Sequence, residues 1–343
     1  MNITVNKTLV ERALDEIKKA TKADRMSVIR LTIFPRSLVI SKRGRVGMDV
    51  RVPCNTEEEV IAYSTLGHLR WFVKHTGDEP LILGNEDGPV FPFCRGTGGE
   101  FERNIDTACE AQLILKTTLF IDLLFRVKEA YKLSRMFTSR AYSERTEKLY
   151  LCENGVVVLK NERFEAMIIP EDIESTAPCK KMRQLPLYCL LALSKISLYD
   201  YQIEVRWKQE CIEINSAWLS VFDTTPSTEL EVEEWLSAEK RYFGIDKEEL
   251  VELLKKVKRR GEYKLSVTYG EDGIVLKGGT ECLISSAYVG DELKTEFIIL
   301  DVFLDLCESI EGGVVNIYFD AQRSICSLQP SDDRVIYSFY TYA

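Results

Sequence analysis

Two histidines, His68 and His75, are all that this chain of 343 residues contains. They lie seven apart in one segment of helical pattern, and a zinc site needs more ligands than their neighbourhood offers. We expect a helix-surface pair and no metal site. No apolar run approaches the roughly 20 residues of a membrane span. The opening MNITVNKTLVERALDE lacks the basic, apolar and small-residue order of a signal peptide, so a cytoplasmic location is expected. Loops that cradle nucleotide phosphates are missing, as is a Gly-x-Ser-x-Gly elbow. No cysteine stands in a motif with a histidine. These absences leave little to build an enzyme with. We expect no catalytic residues and no cofactor; a hydrolase assembled from distant residues is the enzyme alternative.

Ten cysteines are scattered without a Cys-x-x-Cys pair, most inside apolar runs such as PLYCLLAL. They read as reduced core residues. The composition, 45% apolar and 29% charged, is that of an ordinary soluble chain. A net charge of −9 usually argues against nucleic acid. The deciding matter is where the cations cluster.

What is present is a repeated grammar. A helix of about twelve residues is followed by a strand, a turn and a second strand. NKTLVERALDEIKKA precedes MSVIRLTI and RSLVISK. TLGHLRWFVKHT precedes PLILG, a turn at Asp87-Gly88, and PVFPF. TTLFIDLLFRVKEAYK precedes EKLYLC, a turn at Asn154-Gly155, and VVVLK. PLYCLLALSKIS precedes YQIEVRW and ECIEINS. DKEELVELLKKVKRR precedes a hairpin about Asp272-Gly273, and LDVFLDLCESI precedes VVNIYFD and SICSLQP. A lone helix and hairpin cannot bury its own apolar face, so two must pack together.

The six copies therefore group into three units of about 115 residues. CRGTGGEFERNIDTA and TTPSTELEVEEWLSAEK read as the joins. The expected domains are 1–106, 107–225 and 226–343, in an α+β fold.

Three tandem domains, each of two helix-and-strand copies, resemble the bacterial sliding clamp, the β subunit of the replicative DNA polymerase. The resemblance spans the chain and is sharpest in LDVFLDLCESIEGGVVNIYFDAQRSICSLQPSDDRVIYSFYTYA. It implies helices lining a ring, sheets outside, and a head-to-tail homodimer that closes six domains around duplex DNA. It also implies a polymerase and a clamp loader as partners, no enzymatic activity and no membrane association.

Helices that line the hole would hold DNA phosphates without reading bases. On the first helix of each domain the expected DNA contacts are Arg12, Lys19 and Lys22; then Arg126, Lys128, Lys132 and Arg135; then Lys255, Lys256, Lys258 and Arg259. The second helices offer Arg70, Lys74 and Lys195, and LDVFLDLCESI carries no cation. Lysines and arginines near helix C-termini also complement the helix dipole, which is the plainer explanation for any one of them.

Clamps of this family take partner peptides in an apolar cleft between the second and third domains. Where the family reads Thr-Asp-Gly-His-Arg-Leu, this chain has Leu159-Lys160-Asn161-Glu162-Arg163-Phe164. Where the family ends in a Met-Pro-Met-Arg-like run, it has Tyr340-Thr341-Tyr342-Ala343. The resemblance implies a cleft built from Leu159, Asn161, Arg163, Phe164, Pro226, Phe339, Tyr340 and Tyr342. These departures mark a divergent member. They leave open a clamp-shaped interaction scaffold that does not encircle DNA.

Overall fold

The structure is a computed structural model. It describes residues 2–44, 46–56, 59–77, 80–84, 109–136, 147–152, 155–169, 181–196, 198–208, 211–223, 229–231, 243–269, 273–284, 294–320, 325–331 and 335–340. The join proposed at 96–108, the join proposed at 224–240 except for strand residues 229–231, Pro226, Tyr342 and the turn residues Asp87, Gly88, Asn154 and Asp272 lie outside these residues. Among the described residues no helix is long and apolar enough to cross a membrane.

The helices are α1 (Lys7–Thr21), α2 (Leu66–His75), α3 (Thr117–Ser134), α4 (Leu187–Leu193), α5 (Lys247–Arg259) and α6 (Leu300–Ser309). The strands of the first half are β1 (Asn2–Val5), β2 (Val28–Phe34), β3 (Ser37–Lys42), β4 (Val46–Asn55), β5 (Val60–Thr65), β6 (Leu81–Gly84) and β7 (Cys109–Lys116). They continue with β8 (Lys148–Cys152), β9 (Val157–Lys160), β10 (Phe164–Ile168), β11 (Lys181–Leu185), β12 (Gln202–Lys208), β13 (Ile212–Asn215), β14 (Leu219–Asp223) and β15 (Glu229–Glu231). The remainder are β16 (Phe243–Asp246), β17 (Lys264–Tyr269), β18 (Ile274–Gly278), β19 (Glu281–Ile284), β20 (Lys294–Ile299), β21 (Val314–Asp320), β22 (Ile325–Pro330) and β23 (Val335–Tyr340).

The repeat is visible in these elements. Helices α1, α3, α4, α5 and α6 are each followed by an antiparallel pair, respectively β2·β3, β8·β9, β12·β13, β17·β18 and β21·β22. After α2 comes β6, and the partner strand expected for it falls outside the described residues.

The chain divides into two compact units, Met1–Phe125 with Leu185–Thr228 and Arg126–Gln184 with Glu229–Ala343. The first holds a ten-stranded sheet in the order β5-β2-β3-β4-β14-β13-β12-β7, with β1 paired to β4 and β6. Its central ladder, β4 on β14, aligns Val50 with Leu219 and Gly47 with Phe222. Gly47 is required there. A Cβ at that position would occupy the Phe222 ring, which Arg43 covers from 4.6 Å.

Helix α1 forms because Val10, Ala13, Leu14, Ile17 and Ala20 fall on one buried face. Asn6 caps it by accepting from the Leu9 N–H at 2.9 Å, and it ends at Lys22 in the left-handed region, φ 53°. Helix α2 buries Leu66, Leu69, Phe72 and Val73 and is capped by Thr65, which accepts from the His68 N–H. Both α2 and α4 pack on α1.

The second unit holds a nine-stranded sheet in the order β15-β11-β8-β9-β10-β23-β22-β21-β16 and a four-stranded sheet in the order β19-β18-β17-β20. Helix α5 is capped by Asp246, carries Glu248 and Glu249 in its first turn, and has Lys256, Lys258 and Arg259 in its last. That distribution suits the helix dipole. Leu250, Leu253, Leu254 and Val257 form its buried face, and α6 packs beside it.

The seven described cysteines are thiols rather than disulfide halves. Cys152, Cys189, Cys211, Cys307 and Cys326 are buried as expected, whereas Cys109 is exposed and Cys54 half-buried. Burial pushes the Cys189 and Cys307 thiols well above their ordinary value.

Candidate nucleic-acid and peptide interfaces

The cations expected to meet DNA sort into groups with different electrostatics. In the first unit, α1 through Lys22 together with α2 carries seven lysines and arginines against three carboxylates. Lys19, Lys22, Lys74 and Lys195 are exposed and make no ion pair among the described residues. Lys22 and Lys195 stand close enough to repel. Partial burial, with the Lys22 charge second, lowers the Lys195 pKa.

Two cations of this unit are already engaged. Arg70 pairs with Asp15 of α1 at 2.6 Å. Arg12 departs from the expectation of a free phosphate contact. Its Nε donates to Glu16 at 3.0 Å, and its guanidinium lies over the rings of Tyr199 and Trp218 at 4.4 and 5.0 Å. No sequence pattern joins residue 12 to residues 199 and 218. On α3, Arg126 is half-buried, Lys128 and Arg135 are exposed, and Lys132 lies 3.5 Å from Glu129. The same helix exposes Ile121 and Phe125, a feature the sequence reading missed.

In the second unit the picture changes. Lys255 pairs with Glu308 at 2.7 Å and Lys258 with Asp301 at 2.8 Å, both on α6, while Lys256 pairs with Glu252 of its own helix at 2.8 Å. Asp301 raises the Lys258 pKa through this hydrogen bond. Counting Arg260, α5 and α6 hold six cations and six carboxylates. The basic face expected of this helix is therefore charge-balanced, with Arg259 exposed at its end. The missed signal was legible: Asp301, Asp305 and Glu308 recur at helical spacing, and so share one face of α6.

The two sequence stretches expected to wall a peptide cleft do meet. Strand β10 pairs antiparallel with β23, aligning Phe164 with Phe339 and Glu165 with Ser338. As an open lining, however, part of the expected set fails. Leu159, Phe164 and Phe339 are at most 3% exposed, and Phe339 packs against Phe303 of α6 at 6.1 Å. They are core because both faces of these strands are covered: Val158, Glu165 and Ser338, which alternate with them, are buried too.

Asn161 is also buried. Its Oδ1 accepts from the N–H groups of Arg163 and Phe164 at 2.9 and 2.8 Å, and its Nδ2 donates to the Ser134 carbonyl. It shapes the β9–β10 turn and ties it to the end of α3. Arg163 is exposed beside that turn. The Tyr340 backbone pairs with Ile325 at the end of β23; its side chain lies outside the description. Among the described residues no cluster of histidine, cysteine or carboxylate could hold a metal.

Comparison of the whole structure with solved proteins decides the fold. The DNA polymerase III β subunit of Pseudomonas aeruginosa aligns over the full length of both chains with a TM-score of 0.68 and 11% identity. The β clamp of Helicobacter pylori bound to a DNA ligase peptide aligns equally completely, with a TM-score of 0.64 and 14% identity. The polymerase III β protein of Caulobacter crescentus does so at 0.67 and 13%. The chain has the β-clamp fold. No protein-family model and no curated relative matches it by sequence. At these identities the shared property is the clamp architecture.

Proposed function

We propose that this protein is a DNA sliding clamp: a non-enzymatic processivity factor that closes around duplex DNA as a head-to-tail homodimer and tethers a polymerase. The single observation that carries the reading is the full-length match to β clamps, with no segment of either chain left over. Three domains, 1–106, 107–225 and 226–343, form each half of the ring. The cytoplasm is its compartment, and a clamp loader opens it. The exposed cations on or beside α1, α2 and α4, above all Lys19, Lys22, Lys74 and Lys195, hold phosphates; Lys128, Arg135 and Arg259 add to them.

Partner peptides dock beside the β10·β23 ladder. A related clamp has been solved with a DNA ligase peptide, which supports this use of the fold. Arg163, Tyr340 and Tyr342 make the contacts, and Leu159, Phe164 and Phe339 support them from the core. Retention tests the encirclement: protein loaded on circular duplex stays bound and is lost on linearisation. Equal retention on both would refute it.

The balanced charges of α5 and α6 favour a second reading, a clamp-shaped scaffold that binds partners without encircling DNA. Reversing Lys19, Lys22 and Lys195 to glutamate separates the two. A folded variant that stimulates the polymerase undiminished supports the scaffold.

A further inference from the structure

The first unit holds a groove of about 740 Å³ between α1 and α2. The two helices run antiparallel. Lys7, at the start of α1, donates to the carbonyls of Thr76 and Gly77 after α2, at 2.9 and 3.2 Å. Asp15 meets Arg70 midway. The turn after α1 reaches the start of α2, where the Gly67 N–H donates to the Arg25 carbonyl at 2.8 Å. That contact requires glycine, since a Cβ at Gly67 would lie 2.7 Å from the Arg25 oxygen. Asp24 fixes the same turn by accepting from the Met26 N–H at 3.0 Å and the Ser27 hydroxyl at 2.8 Å. Arg25 and Met26 are thereby held at one end of the groove, both exposed.

The floor of the groove is apolar: Leu14, Leu66 and Val73 are at most 1% exposed. Trp71 stands above it and is 59% exposed, although tryptophan is on average highly buried. His75 stacks on the indole, with ring centroids 4.6 Å apart and planes 23° from parallel. The imidazole is itself pinned, because its Nδ1 donates to the Trp71 carbonyl at 2.7 Å. One face of the indole is covered by a fixed ring, and its exposure leaves the other to solvent. Lys18 and Arg25 border the groove towards the start of α2 and Lys74 towards its end. None of the three makes an ion pair among the described residues. Of the bordering carboxylates, Asp15 is bound to Arg70 and Asp24 to its own turn, which leaves Glu11.

An open aromatic face between cations suits a planar ring with negative charge on its flanks. A nucleobase with its phosphates is such a group. In a duplex both faces of a base are covered by its neighbours, so only an unpaired base can lie on the indole. Cations at both ends of the groove match phosphates on both sides of the base, which a strand has and a free nucleotide lacks.

We propose that this groove binds an unpaired base of single-stranded DNA, stacked on Trp71, with the flanking phosphates on Lys18 and Arg25 at one end and Lys74 at the other. The proposal rests on the protein working at DNA, but not on a closed ring.

The test measures binding of fluorescein-labelled (dT)10 to the full-length protein by anisotropy, with no loader present. An abasic decamer of the same length keeps the phosphates and removes the bases; it is expected to bind at least tenfold more weakly. Trp71→Ala should lower (dT)10 affinity at least tenfold and leave that for a closed hairpin duplex unchanged, while Trp71→Phe, which keeps a ring, should lose less. Lys18→Ala with Arg25→Ala should flatten the logarithmic salt dependence of (dT)10 binding by about 1.4. Equal affinity for (dT)10 and the abasic decamer overturns the proposal in the parent protein alone, whatever the variants do. So does a Trp71→Ala variant that binds (dT)10 undiminished. Competition by dTMP as strong as by unlabelled (dT)10 would make this a free-nucleotide site and overturn the strand. Stronger competition by a capped Glu-Leu-Glu peptide would make it a site for acidic protein segments and overturn DNA as the occupant. Retention on circular duplex tests encirclement separately: oligonucleotide binding needs no loading, so either result can fail while the other stands.

Discussion

Phe164 and Phe339 are backbone partners on neighbouring antiparallel strands, and both rings point into the core of the second unit. Phe339 touches Phe303 of α6, and Phe164 stacks with Tyr337 at 6.3 Å. One ladder thus joins the turn after β9 to the tail strand, and the helix layer grips it from behind. We expect its stability and any peptide binding beside it to rest on different side chains. Phe339→Ala is expected to cost about 3–5 kcal/mol of folding stability, read from urea unfolding, because it empties a large buried volume. Tyr340→Ala should leave unfolding nearly unchanged and weaken capture of a partner peptide by about 1–3 kcal/mol in a titration. If Phe339→Ala unfolds like the parent protein, the ring is not a core element.

The unequal charge of the helices predicts an unequal salt response. Each lysine that neutralises a phosphate steepens the logarithmic salt dependence of duplex binding by about 0.9. Lys22→Ala with Lys195→Ala should therefore flatten that slope by roughly 1.8, since neither ammonium group has a counter-ion among the described residues. Lys255→Ala with Lys258→Ala should flatten it much less, because Glu308 and Asp301 already hold those groups. Affinity measured from low to moderate salt decides it. Equal flattening by both pairs would mean that DNA displaces the α6 carboxylates.

How far the sequence spoke can be judged from these residues. Helix spacing and strand alternation are local signals, so the six helices are visible in the sequence, with starts within one residue of those observed. The meeting of the Leu159–Phe164 stretch with the tail was legible only through the resemblance to clamps, because no local rule links strands so distant in sequence. Burial was the harder property. Phe339 could be turned inward by alternation, but Leu159, Phe164 and Asn161 looked like wall residues until the fold surrounded them. The Arg12 contact with Tyr199 and Trp218 left no trace at all, because it is made by tertiary packing alone. The carboxylate stripe of α6 is readable in the spacing of Asp301, Asp305 and Glu308.

Glu16 gives a pH signature to the first unit. Burial raises its carboxyl pKa above the ordinary 4.5, while the Arg12 hydrogen bond and the charges of Arg12 and Lys19 act against the rise and Asp15 adds to it. The folded state thus keeps this proton to higher pH than the unfolded state does. Stability contributed by the neutral form is present below 4.5 and is lost as pH rises through the raised value. Glu16→Gln removes the titration. The difference in denaturant midpoint between variant and parent should therefore shift in the variant's favour as pH rises from 4.5 towards neutrality. A difference that stays constant over that range would show that Glu16 titrates alike in both states.

The α5–α6 ion pairs make the last prediction. Lys255 and Lys258 reach across to Glu308 and Asp301, and all four side chains are roughly half exposed. Pairs so open to solvent add little to folding. Their consequence is electrostatic, since two ammonium groups that could face phosphate are neutralised within the protein. Asp301→Asn with Glu308→Gln keeps the shapes and removes both counter-charges. Thermal unfolding should change little. If α5 faces DNA in a closed ring, duplex affinity at low salt should rise, and the salt slope should steepen by about 0.9 for each lysine released. Adding Lys255→Ala and Lys258→Ala to that variant should cancel the gain, which ties it to these two residues rather than to net charge. An affinity that does not move when the carboxylates are removed would place α5 away from DNA and favour the interaction scaffold over the sliding ring.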